Sequence, residues 1–148
     1  MGLDMYLNAK RYLWSFPEDG PDATTAKAIG ELLGIGNTRV NQIEIEAMYW
    51  RKANAIHKWF VDNVQNGTDD CGTYEVSRKQ LQELLDLIIE VIDSKNSRKL
   101  PPASGFFFGS TEVGEWYWDD LNETKDRLSA LLADSEFEKW EFTYHSSW

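Results

Sequence analysis

The richest run of side-chain chemistry in the chain is Tyr49-Trp50-Arg51-Lys52-Ala53-Asn54-Ala55-Ile56-His57-Lys58-Trp59-Phe60, where cations, an amide and an imidazole interrupt large apolar groups. Read as a helix at 100° per residue, it brings His57 within about 20° of Trp50 and sets Lys52 between Ile56 and Trp59. An unpaired cation on an apolar surface is costly, so Lys52 needs a carboxylate, a carbonyl, an anionic ligand or a path to water along its stem. The bland reading is a snorkelling lysine and a hydrogen-bonded core histidine. The sharper one is a pocket for a nucleotide-like anion: Trp50 or Trp59 stacks, Arg51, Lys52 or His57 meets charge, and Asn54 completes the constellation.

Other residues offer weaker chemistry. Cys71 with His57 is a minimal thiol pair, but no third group to orient it is evident. Asp69 and Asp70 with a histidine could ligate a divalent cation, yet neither an EF-hand nor a His-Glu-x-x-His spacing is present, and a helix-capping turn explains them at less cost. No metal and no cofactor is expected. Ser104-Gly105-Phe106-Phe107-Phe108-Gly109-Ser110-Thr111 places small residues and hydroxyls around an apolar run. It is not a phosphate-binding loop, since no Gly-Lys-Ser/Thr follows; beside the Tyr49–Phe60 segment, Ser110 and Thr111 become donors to a ligand. Glu115, Asp119, Glu123 and Asp126 form an acidic face, either solvated or imitating the spaced charge of nucleic acid.

These residues need elements to position them, and the periodicity supplies most of them. Leu3, Met5 and Leu7 alternate with polar positions as a first strand running toward Trp14. Asp22 caps a helix through Leu33, ended by Gly34. Ile43, Ile45 and Ala47 alternate in a strand over Val40 to Ala47, after which a central helix is expected from Met48 to Val64, because its apolar arc is wider than a surface helix requires. A turn-rich loop runs to Gly72. Ser77 and Gln80 form a capping box for a helix carrying Leu81, Leu84, Leu85, Ile88, Val91 and Ile92. Phe106 to Phe108 reads as a short buried strand, Trp116 to Ala133 as a last helix with Leu121, Leu128 and Leu132 inward, and Trp140, Phe142 and Tyr144 as a closing strand. The fold expected is α+β: a small antiparallel sheet packed against about four helices, in one domain spanning residues 1–148.

The 148 residues match one domain of ordinary size. Seven tryptophans exceed what a core needs and favour a binding surface. A formal charge of −10 argues against direct nucleic-acid binding, which draws on Lys/Arg contacts to phosphate. Ten of the acids lie between Glu112 and Glu141 against three basic residues. A single cysteine excludes an internal disulfide and fits a reducing compartment. The start of the chain lacks the basic and apolar regions of a signal peptide, and no run is long enough for a membrane span.

The opening Met1-Gly2-Leu3-Asp4-Met5-Tyr6-Leu7, the run Tyr49 to Phe60, and Ser104 to Thr111 with Trp116-Tyr117 together resemble a family of small bacteriophage and prophage proteins of unassigned function. The resemblance spans most of the chain. It implies a phage product acting in a bacterial cytoplasm and, by analogy, antagonism of host defence. Two mechanisms follow: a non-enzymatic binder that sequesters a nucleotide-like signal through the Trp50–Trp59 constellation, or an inhibitor of a host protein that uses the acidic face. Turnover of a nucleotide is a third alternative, and homo-oligomerisation stays open.

Overall fold

A computed structural model describes residues 2–148. The elements in order are β1 (Asp4–Tyr12), α1 (Pro21–Leu33), β2 (Gln42–Arg51), α2 (Asn54–Asn63), β3 (Thr73–Val76), α3 (Arg78–Ser94), α4 (Glu115–Ala133) and β4 (Glu141–Ser147), with two short 3-10 turns at Ser97–Lys99 and Ser135–Lys139. The four strands form one antiparallel sheet in the order β2-β1-β4-β3. The α+β architecture is therefore as the sequence leads one to expect.

Strict alternation makes β1 a half-buried strand: Met5, Leu7 and Ala9 are buried while Tyr6, Asn8 and Lys10 are partly exposed. The buried row, with Met48 and Trp50 of β2 and Phe142 and Tyr144 of β4, meets the apolar sides of α2, α3 and α4 in one core. Phe60 of α2 stacks on Tyr144 with ring centroids 3.9 Å apart and planes 6° from parallel. The capping box of α3 is present, with Gln80 N–H donating to Ser77 Oγ at 3.1 Å and Ser77 N–H donating to Gln80 Oε1 at 2.9 Å. On α4, Leu121 and Leu128 are buried as expected, and Leu131 takes the place foreseen for the partly buried Leu132.

Four expectations are corrected. The strand foreseen over Val40 to Ala47 continues to Arg51, so the helix begins only at Asn54 and Met48 to Arg51 are not helical. The cause is a bulge: Leu7 faces Met48 and Asn8 faces Glu46, which leaves Ala47 as an extra residue. The positions on the core-facing side of the sheet therefore run Ile45, Met48 and Trp50, and the period of two changes phase without ending. The four-residue edge strand β3 lies between the foreseen turn and the Ser77 cap. Phe106 to Phe108 form a turn with no strand partner; Phe106 is 78% exposed, Phe107 has a φ of 68°, and Phe108 alone is buried. A Cβ on Gly105 would stand 2.3 Å from the Phe108 ring, so the glycine is what lets that ring fold inward. Finally, α1 is capped by Gly20; Asp22 lies in its first turn, pairing with the Arg11 guanidinium and accepting from Trp14 N–H.

Candidate functional site

The path from β2 into α2 is a sharp one. Lys52 takes a left-handed backbone with φ of 60°, its N–H donating to Leu3 O at 2.8 Å. Its side chain then lies between two glycines, where an added Cβ on Gly2 would meet Lys52 Cε at 3.2 Å and one on Gly109 would meet its stem at 3.3 Å. Ala53, which has no capping side chain, precedes the first turn of α2. The first helical bond in that turn runs from His57 N–H to Ala53 O. Among the described residues, the N–H groups of Ala55 and Ile56 have no hydrogen-bond acceptor, although both residues are buried.

This junction forms one wall of a cavity of about 580 Å³, within the range of small-molecule sites. Arg51, Lys52, Ala53, Asn54, Ala55 and Ile56 line it. A second wall comes from α4 and the loop before it, through Glu112, Trp116, Tyr117, Asp120 and Leu121, with Ser110 and Gly109 at the margin. Arg51 and Lys52 are exposed and take part in no ion pair among the described residues. Trp116 is 84% exposed at the rim. Tyr117 is fixed by donating to Leu100 O at 2.8 Å, and burial raises its hydroxyl to about 12.

Asp120 is the unusual group. Burial first, and then the charges of Glu123 and Asp119, push its carboxyl up to about 6. It forms no ion pair among the described residues. Its side chain accepts no hydrogen bond from the described residues, while its backbone carbonyl accepts from the Thr124 hydroxyl at 2.6 Å.

Of the residues singled out in the sequence, Arg51, Lys52, Asn54 and Ser110 meet at this cavity. Asn54 acts there as a clamp: its Nδ2 donates to Phe108 O at 3.0 Å and Ser110 O at 2.9 Å, and its Oδ1 accepts from Ala103 N–H at 3.0 Å. The Ser110 hydroxyl accepts from Glu112 N–H at 3.0 Å, which is turn chemistry, and exposed Thr111 is outside the lining. Trp50, His57 and Trp59 face the core instead. Trp50, on a strand and not a helix, donates from Nε1 to Thr124 Oγ1 at 2.8 Å. Trp59 packs edge-on against Phe60 at 5.3 Å.

His57, only 1% exposed, spans Tyr144 and Asp69: Nδ1 pairs with the Tyr144 hydroxyl at 2.7 Å and Nε2–H donates to Asp69 Oδ2 at 3.0 Å. Burial, and next the Asp69 charge, raise the Tyr144 hydroxyl above its usual range. With both ring nitrogens engaged, His57 has none left for Cys71. Asp70 accepts from Gly72 N–H and the Tyr74 hydroxyl, as a turn-forming residue does. No grouping of three His, Cys, Asp or Glu side chains suited to a metal occurs among the described residues.

Trp116 and Asp120 belong to the cavity but were not among the ligand residues foreseen. They stand four apart on α4, hence on one face. The available signal was that Asp120 falls at the margin of the buried row Tyr117, Leu121, Thr124 and Leu128, the same kind of intrusion that drew attention to Lys52. Glu115, Asp119, Glu123 and Asp126 are all exposed, and 100° steps place them within about 80° on the outside of α4.

Comparison with protein-family models, with curated proteins and with solved structures gives no match. The fold and the cavity thus define a four-stranded, helix-backed α+β domain with a mixed-charge pocket, and no relative contributes a role to it.

Proposed function

We propose that the chain is a non-enzymatic binding protein for a small nucleotide-like anion, held in the cavity between the start of α2 and α4. The observation that carries this reading is the meeting, in one cavity, of Arg51, Lys52 and the first turn of α2 with an exposed tryptophan and an unpartnered carboxyl. A helix start with free N–H groups favours anions, and cations beside it add to that preference. Trp116 supplies a face for a base. The cavity holds no nucleophile paired with a base, which supports holding over turnover. In the phage setting that the resemblance implies, such a protein withdraws a nucleotide signal from host defence.

Titration calorimetry with mononucleotides and cyclic dinucleotides tests the reading, paired with native mass spectrometry of the protein recovered from bacterial lysate. Binding that falls roughly tenfold in Lys52→Gln, with release of an unchanged ligand on heating, supports it. Absence of any bound nucleotide overturns it, and turnover of the ligand shows an enzyme instead.

The acidic stripe of α4 favours a second reading, inhibition of a host protein with a basic groove. Charge reversal at Asp126 separates the two: it weakens capture of a protein partner and leaves nucleotide affinity within about twofold, since Asp126 is exposed and outside the cavity lining.

A further inference from the structure

Resting on the nucleotide reading above, we propose that the base taken by this cavity is guanine, recognised by the Asp120 carboxylate while Trp116 stacks on its face. Trp116 and Asp120 project one helical turn apart from α4 into the same cavity, so a ring lying on the indole brings its edge to the carboxyl. An ionised carboxylate only accepts hydrogen bonds. Guanine offers two adjacent donors, N1–H and the 2-amino group, which match the two carboxylate oxygens in parallel. Adenine presents one amino donor beside an acceptor nitrogen, which a carboxylate repels. Glu112, the other acid of the lining, adds a second acceptor on the α4 side. The cations Arg51 and Lys52 line the cavity from the junction of β2 and α2, and neither forms an ion pair with Asp120 among the described residues, so phosphate and base are met by different elements.

Calorimetric titration of the full chain with 5′-GMP and 5′-AMP decides the matter, together with Asp120→Asn and Trp116→Ala. A carboxamide presents one acceptor and one donor, the arrangement that suits adenine. The expected result is a preference for GMP of at least about tenfold, levelled or reversed in Asp120→Asn, and a loss of roughly tenfold for both nucleotides in Trp116→Ala. Equal affinity for GMP and AMP, or a preference unchanged in Asp120→Asn, overturns the guanine assignment and leaves nucleotide binding standing. Failure of GMP, AMP and their cyclic dinucleotides alike to bind removes the nucleotide reading and the guanine assignment with it. A merely structural Asp120 would shift both affinities together, so the change in ratio is the discriminating readout.

Discussion

At the residue scale, Asp120 places a cost in the fold. Its folded-state value of about 6 lies above the ordinary 3.8, so the folded protein holds the proton more tightly than the unfolded chain does. The stabilisation from that proton is complete below about pH 4 and is lost as pH rises through about 6. At neutral pH the ionised group is therefore a net burden. We expect Asp120→Asn to raise the melting temperature at pH 7.5 by about 2–4 °C, corresponding to roughly 1 kcal/mol after discounting for water at the cavity mouth, and to change it little at pH 4. Thermal unfolding at the two pH values checks this; an equal shift at both would mean that the carboxyl is not strained by burial. A group that weakens the fold at working pH and has no partner in it is the kind that binding sites retain. The sequence exposed part of this site. Arg51, Lys52 and Asn54 stood out as polar intrusions and Ser110 as a hydroxyl beside a glycine-flanked apolar run, whereas Trp116 and Asp120 join them only through packing of α4 on β2, a contact across more than sixty positions that no local pattern encodes.

At the scale of elements, Asn54 and the bulge at Ala47 do most to shape the site. Asn54 ties the loop from Ala103 to Ser110 to the start of α2 by three hydrogen bonds. Asn54→Ala leaves the buried Phe108 carbonyl unmet, frees the half-buried Ala103 N–H, and is expected to cost about 1–3 kcal/mol, with faster amide exchange at Ala103 and weaker ligand binding. The bulge gives a sharper contrast. Deleting Ala47 restores simple alternation and keeps both Ile45 and Met48 inward, so that variant should fold. Deleting Tyr49 also removes the extra residue, but it puts Ala47 inward and turns the buried Met48 toward solvent, and should cost about 2–5 kcal/mol. Circular dichroism with thermal melts distinguishes them. The bulge also explains where periodicity misled: Ile43 to Ala47 and Met48 to Trp50 each alternate, but in opposite phase, and a break in phase looks like a change of element. Phe106 to Phe108 misled for a different reason, because an apolar run between glycines has strand composition while only a neighbouring strand makes it one. Where the cue was local, as in the Ser77–Gln80 box, Gly34 and the alternation of β1, expectation and structure coincide.

At the scale of the molecule, the charge of −10 opposes the approach of any anion. Arg51 and Lys52 act at contact, whereas the repulsive field reaches over a Debye length of about 30 Å at 0.01 M salt and about 8 Å at 0.15 M. The association rate for a mononucleotide should therefore rise as salt is added from the lower to the higher concentration, the reverse of a positively steered binder. Stopped-flow fluorescence reads this directly, and a rate that falls instead would place the ligand's charge away from the acidic field.

The irregularity at Ala47 matters on this scale as well. A ten-residue border strand is a template onto which a foreign chain can crystallise, residue by residue. Here the template is out of step at its middle, its Ala47 carbonyl is approached by Arg127 Nη2 at 3.4 Å, and Glu44 and Glu46 stand beside the fault. An incoming strand in register with one half of β2 is out of register with the other. The residue that disguised the strand in the sequence is thus also a stop signal for growth of the sheet along this border.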